Sequence, residues 1–152
     1  MGLYLARFTS VPEACTFCGV RETLAHAYLQ CTRLQLLFQL LQNLLLRFWL
    51  HFSPHLFIFA HPIRGPTKSR DHLVNFLLAM AKVAICNTRE KRLAEVGPCD
   101  CGAVFHSFIC SCIRAELLWV AFTVSLEAFE EQWVLSRVLC LVSASGSLVL
   151  AL

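Results

Sequence analysis

The stretch CTFCGVRETLAHAYLQC, residues 15–31, places three cysteines and one histidine close together near the start of the chain. These residues follow the spacing Cys15-x2-Cys18-x7-His26-x4-Cys31. Three thiolates and one imidazole are the ligand set of a closed tetrahedral zinc site. Because four protein ligands leave no open position for water, we predict one structural Zn²⁺ ion here. The alternative is four buried residues that hold no metal.

The residues between the ligands fit this geometry. Gly19 directly follows the second cysteine, and glycine permits the left-handed turn that a C-x-x-C loop needs to bring both sulfurs to one ion. If the chain becomes helical after Thr23, His26 and Cys31 can reach the same ion. The first long helix is then expected to continue from the last ligand.

The redox state of the cysteines helps to decide between metal binding and disulfide bonds. The chain has nine cysteines, an odd number. Its N-terminus lacks a charged start followed by a sufficiently long apolar core, so we expect no secretion and a location in the cytoplasm or nucleus. In such a reducing compartment a C-x-x-C pair indicates metal binding before it indicates disulfides.

The composition is unusually apolar for a soluble domain. Of 152 residues, 57% are hydrophobic and 15% are charged, against averages of roughly 45–50% and about 25%. The surplus predicts exposed apolar surface that meets another part of a larger protein.

The periodicity of apolar residues predicts a mainly α fold, in which a zinc knuckle precedes about four loosely packed helices and at most one short strand. The predicted helices cover 34–50, a segment from Ser69 or Asp71 to about 95, 104–120, and a segment capped by Ser125. Residues 56–59 fit a buried strand or a helical turn.

We divide the chain into a zinc knuckle (1–33), a helical region (34–133) and an apolar tail (134–152). The tail contains an uncharged run of about 15 residues, which is short for a membrane span of about 20 residues. We therefore expect a poorly ordered or docked tail and no association with a membrane.

Basic residues are concentrated in one segment. Residues 64–92 contain seven bases and two acids, the kind of footprint that attracts a phosphate backbone. The alternative is a solvated helix face. Aromatic side chains in the knuckle can stack on unpaired bases, or can simply cover the metal site. The candidate nucleic-acid contacts are Phe17, Arg21, Tyr28, Arg33, Arg89, Lys91 and Arg92.

Residues 15–31, including Glu22 and Thr23 before the histidine, resemble the zinc-binding segment that follows the polymerase in LINE-type, non-LTR retrotransposon reverse transcriptases. Further runs resemble the C-terminal tails of fish elements of this kind, although Cys86 stands where an aromatic residue is expected. These runs are Leu73–Ile85, Thr88–Leu93 and Leu126–Trp133. The resemblance implies a C-terminal accessory region whose partners are RNA or DNA and the polymerase portion of its parent protein.

The chain lacks the residues that a polymerase of this family needs. Polymerase chemistry uses an adjacent aspartate pair to hold two Mg²⁺ ions, but the only aspartates are Asp71 and Asp100. Glu130 and Glu131 on a helix would project about 100° apart. We therefore predict no polymerase activity. The alternatives to a nucleic-acid role are a helical protein-interaction fragment and a retroelement relic without selected function.

A second metal site is disfavoured. Cys110 and Cys112 are two residues apart on a predicted helix and therefore point about 200° away from each other. The pair could not join Cys99, Cys101 and His106 at one ion. The remaining histidines in the apolar segment are expected at the surface or as satisfied core residues. They are His51, His55 and His61.

Overall fold

A computed structural model of the chain describes residues 13–94, 100–134, 139–143, 145 and 147–151, with the backbone alone at Ala121. The fold is mainly α, and a cluster of cysteine and histidine residues precedes the helices, as predicted. The helices are α1 (Gln35–Leu46), α2 (Pro54–Phe59), α3 (Lys68–Leu93), α4 (Cys101–Thr123) and α5 (Leu126–Trp133). Shorter turns occupy His26–Gln30 (π), Thr32–Leu34 (3₁₀) and Gly65–Thr67 (3₁₀).

The core forms where α4 packs along α3, with α1 and α5 against the pair. Apolar residues three and four positions apart form one face of each long helix, which is why these faces pack together. Gly102 allows α4 to approach α1 closely, because a Cβ atom there would lie 3.1 Å from Leu40 Cδ1. The buried side chains of the three longest helices include Leu37, Leu41, Leu45, Leu73, Leu77, Leu78, Ala81, Ile85, Phe105, Ile109 and Ile113.

The helix starts follow local capping rules. Ser53, Asp100 and Ser125 each accept a hydrogen bond from a backbone N–H in the first turn of α2, α4 and α5. The prediction for Ser125 is confirmed. For α3 the predicted start is close, since the helix begins at Lys68, one residue before Ser69, but the predicted cap is wrong, because the helix has no side-chain cap and Asp71 lies inside its first turn.

The predicted end of the first helix is also wrong. α1 ends at Leu46 rather than near residue 50. Trp49 adopts a φ of 61°, a left-handed conformation that is uncommon for a non-glycine residue and interrupts the helix. The Gln42 side chain then accepts a hydrogen bond from Phe52 N at 2.8 Å, which holds the chain as it turns towards α2.

The segment 56–59 lies within a short helix, so the strand interpretation is wrong. Pro54 at its first turn has the backbone geometry that a helix start requires. Phe57 is buried, whereas Phe59 on the same helix is exposed.

The tail forms a hairpin that the sequence did not predict. Strands β1 (Cys140–Val142) and β2 (Leu148–Leu150) pair antiparallel. Leu139 and Cys140 are buried in the core, and β1 contacts α5. Of the two expectations for the tail, docking is therefore the one that the described residues show.

One described helix, Cys101–Val120, is long and apolar enough to cross a membrane by length and composition. It carries Arg114 and Glu116 within that range, and its inner face packs on α3. Its far end exposes large apolar side chains. Trp119, which follows the helical spacing of Phe105, Phe108 and Ile109, has 65% of its surface exposed.

Asp71 organises the loop before α3. Its carboxylate is buried and accepts hydrogen bonds from Arg64 N (2.9 Å), Thr67 Oγ1 (2.7 Å) and the Arg70 guanidinium (3.2 and 3.3 Å). His61 Nε2 lies 3.2 Å from the same group. Burial alone would raise the pKa of this carboxyl, but these hydrogen bonds and His61 lower it to about 2.

We expect Asp71 to make folding more stable at neutral pH than in strong acid. Because the folded-state pKa is below the ordinary value of 3.8, its contribution is present above that value and is lost as the pH falls towards about 2. In urea unfolding, the difference in the free energy of unfolding between the wild type and Asp71→Asn should therefore shrink as the pH falls from 3.8 towards about 2. Every other group is common to both proteins, so the difference between the two proteins is the measure. A difference that does not change with pH would contradict the assignment.

Candidate metal centre

The first two cysteines lie on a tight loop. An isolated antiparallel bridge between Ala14 and Arg21 closes it, and Cys15 N donates to Val20 O at 2.7 Å. Gly19 N donates to Cys15 O at 2.8 Å, and Gly19 has a φ of 74°. A side chain would be strained in this left-handed conformation. The glycine prediction is confirmed, and the loop turns both sulfurs to the same side.

His26 and Cys31 are brought together by a π-helical turn. Thr23 Oγ1 accepts a hydrogen bond from His26 N at 3.0 Å, which holds the start of the turn. Cys31 N then donates to His26 O at 3.1 Å, five residues back. On an α-helix, residues five apart would point about 140° away from each other. The wider turn, followed by extended backbone at Cys31, removes that mismatch.

The four ligating atoms converge at the spacing of a tetrahedral site. They all lie within 4.8 Å of one another. Cys31 Sγ is 3.8 Å from Cys15 Sγ and 3.9 Å from Cys18 Sγ, and His26 Nε2 is 3.2 Å from Cys18 Sγ. Zn–S bonds of about 2.3 Å at tetrahedral angles place two sulfurs about 3.8 Å apart. Since none of the eight described cysteines forms a disulfide, this cluster can hold a metal ion.

The electrostatics of the two buried thiols differ. Burial raises the pKa of Cys31 to about 12, and the neighbouring Cys15 adds to the effect. Burial would also raise the pKa of Cys15, but backbone hydrogen bonds from Phe17 and Cys18 and the His26 side chain lower it to about 7. A metal must displace the proton of any thiol that it binds, so metal binding here releases protons.

Three of the predicted nucleic-acid contacts are packed against this cluster. The Arg89 guanidinium from α3 stacks over the Phe17 ring, 4.9 Å from its centroid. Tyr28 donates or accepts a hydrogen bond at 3.0 Å with Cys86 Sγ on α3. All three side chains are at least half-buried, so they join the metal loop to α3.

The other four predicted contacts are exposed. Arg21 lies within the metal-binding segment and Arg33 just after it, and Lys91 and Arg92 lie in the last turn of α3. Because Arg89 contacts the cluster, Lys91 and Arg92 lie at the end of α3 that packs against the metal-binding segment.

Sequence reasoning missed the ion pair between Arg89 and Glu22. Both side chains are nearly buried, and they are 67 positions apart. Glu22 was noted only as part of the resemblance. A buried glutamate is expected to pair with a cationic side chain. Nothing in the sequence identifies which lysine or arginine forms that pair.

The weaker candidates are separated in space. Cys110 Sγ lies 3.7 Å from His106 Nδ1, whereas Cys112 Sγ contacts Met80 Sδ at 4.0 Å. In the described part of the chain, the four-residue cluster is the one group that could hold a metal. Cys99 lies outside the described residues. His61 pairs with Asp71, and the ring of His55 lies against that of Phe59 at 4.8 Å.

Comparison with known proteins relates the chain to a transposon. It is 47% identical over 142 residues to the Transposon TX1 uncharacterized 149 kDa protein of Xenopus laevis. The alignment covers 93% of this chain and 11% of that protein. No protein-family model matches the chain. No solved structure matches it. Over nearly its whole length, the chain is thus similar to one short segment of a transposon protein.

Proposed function

We propose that the chain is a zinc-stabilised accessory region of a retrotransposon protein that binds nucleic acid through bases beside the metal centre. The observation that carries the zinc assignment is the sulfur geometry, with Cys31 Sγ at 3.8 and 3.9 Å from the other two thiols. Zinc suits three thiolates and an imidazole better than the harder divalent ions do. With four protein ligands, the ion would stabilise the fold rather than catalyse a reaction.

The origin of the chain is supported by two sequence similarities. Its sequence resembles the region after the polymerase in non-LTR retrotransposon reverse transcriptases, and it is 47% identical to part of a transposon TX1 protein. We propose that it corresponds to the C-terminal part of such a protein and that the polymerase portion is one of its partners. Catalysis would belong to that portion.

The nucleic-acid role rests on the charge beside the metal centre. Arg21, Arg33, Lys91 and Arg92 are exposed. The first two lie in or next to the metal-binding segment, and the other two lie at the end of α3 that contacts it. Glu90 is the exposed acid among them on α3. Long basic side chains on a rigid support position a phosphate backbone without reading its sequence. We therefore propose binding to single-stranded RNA or DNA with little sequence preference.

We expect the affinity of the zinc-loaded chain for a single-stranded oligonucleotide to fall steeply with salt. Each neutralised phosphate contributes a log–log slope of roughly −0.7. The double substitution Lys91→Ala with Arg92→Ala should therefore flatten the slope by about 1.4 if both residues contact phosphates. Fluorescence anisotropy at a series of salt concentrations measures this.

The matched control is Arg64→Ala with Lys68→Ala, which removes the same charge at the opposite end of α3, where Lys68 lies about 35 Å from Lys91 along the helix. It should leave the slope nearly unchanged. Equal flattening by both double variants would show diffuse attraction rather than a binding face. Absence of salt-dependent binding at low ionic strength would exclude the nucleic-acid role.

A second candidate function is supported by the apolar end of α4. Leu118, Trp119, Phe122 and Val124 are all exposed, Phe122 by 88%. Several large apolar side chains exposed within seven residues are typical of a protein contact. If nucleic-acid binding is absent, docking of this patch on the rest of the parent protein becomes the better proposal.

A further inference from the structure

Arg89 occupies an unusual position between the metal-ligand cluster and the longest helix. Its side chain is 13% exposed although it carries a full charge. One guanidinium nitrogen pairs with Glu22, and another lies 3.1 Å from Ala27 O and 3.7 Å from Cys15 Sγ. The guanidinium carbon also lies over the Phe17 ring. A single side chain thus touches both halves of the metal-binding segment.

The contacts match the chemistry of a thiolate-rich site. Three thiolates and one Zn²⁺ ion carry a net charge of −1, and Glu22 adds a second negative charge beside them. Arg89 is the cation that lies between these two groups. Its N–H donors form a rigid planar fork, so it can bond to a carboxylate, a carbonyl and a sulfur at fixed positions, whereas the three donors of a lysine rotate on one compact ammonium group.

We propose that Arg89 is a positioning residue of the zinc site, whose N–H···S contact with Cys15 orients that ligand and clamps the metal loop onto α3. This inference rests on the proposed zinc binding. Groups that orient metal ligands through hydrogen bonds commonly change metal affinity by about 10- to 100-fold when they are removed. The role is distinct from the phosphate contact that the sequence predicts for Arg89.

The test compares Arg89→Met with Arg92→Met, which removes the same charge from an exposed position three residues away. Zinc affinity is measured by competition with a chromophoric chelator. We expect Arg89→Met to weaken zinc binding by about 10- to 100-fold and Arg92→Met to change it less than about twofold. Arg89→Lys keeps the charge without the fork and should lie between them.

A spectroscopic readout separates ligand orientation from general destabilisation. With Co²⁺ in place of Zn²⁺, loss of the contact to Cys15 should shift the thiolate-to-cobalt charge-transfer band in Arg89→Met and Arg89→Lys. Arg92→Met should leave it in place. If Arg89→Met does not fold, Arg89→Lys provides the same comparison.

Different results would contradict the proposed zinc binding and the proposed role of Arg89. A wild-type chain that binds no zinc would overturn the proposed function and this inference with it. Normal zinc binding by the wild type, together with unchanged affinity and an unchanged cobalt spectrum in Arg89→Lys and Arg89→Met, would overturn the role of Arg89 alone.

Discussion

Replacing Cys31 by Ser is expected to abolish zinc binding and to lower the free energy of unfolding by on the order of 5 kcal/mol or more. Cys31 is 2% exposed and belongs to the same buried cluster as Leu34 and Leu37. Loss of the ion would leave buried polar groups without a partner directly beneath α1. Since the binding energy of a structural zinc is largely folding energy, the effect should extend beyond the loop itself.

The matched control is Cys110→Ser, because Cys110 is also buried but lies outside the metal cluster. It should retain one zinc per chain and lose only about 1–2 kcal/mol. Metal content by atomic absorption and unfolding in urea, each with and without a chelator, provide the measurements. The wild type should become more stable as free zinc rises, because the ion binds the folded state. Equal zinc content in the two variants would refute the single-site assignment.

The metal-ligand cluster could be predicted from sequence because its geometry is local. Four ligands lie within one short segment, and Gly19 supplies the backbone conformation that its loop requires. The π-helical turn before Cys31 was not predicted, although the five-residue separation of His26 and Cys31 is incompatible with a plain α-helix. The support from Arg89 depends on the packing of α3 against the loop. Periodicity cannot reveal a contact between residues 67 positions apart.

In the helices, too, the local features could be predicted from sequence and the features that depend on tertiary contacts could not. The apolar stripe of α1 follows from its spacing, and residues such as Leu37, Leu41 and Leu45 are buried as expected. The helix end at Leu46 depends instead on the left-handed Trp49, which no propensity anticipates. Trp119 follows the helical spacing of Phe105 and Ile109, which are buried, and yet it is exposed. Helical spacing therefore does not decide burial at that end of α4, where several apolar side chains are exposed.

The tail shows why uncharged segments are hard to interpret from sequence. Between Cys140 and Leu150, small polar residues interrupt an apolar run, and the result is a hairpin. Its pairing is set by burial of Leu139 and Cys140 against the helical core. That surface exists only after the helices have assembled, so the strands depend on tertiary structure more than on local preference.

Replacing Phe57 by Ala is expected to cost about 3–5 kcal/mol, the largest effect predicted for a residue outside the metal centre. Phe57 is 1% exposed. Its ring meets Phe38 edge-on at 5.8 Å and Phe52 at 5.7 Å, and Lys82 Nζ lies 5.4 Å from its centroid. Truncation would leave a cavity at the junction of α1, α2 and α3 and would remove both ring pairs.

Phe59→Ala is the matched control, and it also distinguishes the two interpretations of this segment. In a strand, residues 57 and 59 would share one face, so both substitutions would be costly. In α2 they point about 200° apart, and Phe59 is 71% exposed. We therefore expect Phe59→Ala to change stability by less than about 0.5 kcal/mol. Both variants make the same chemical change in one helix, so differences in helix propensity largely cancel. Zinc content should be normal in both, and comparable losses of stability in the two variants would contradict the helical packing of Phe57.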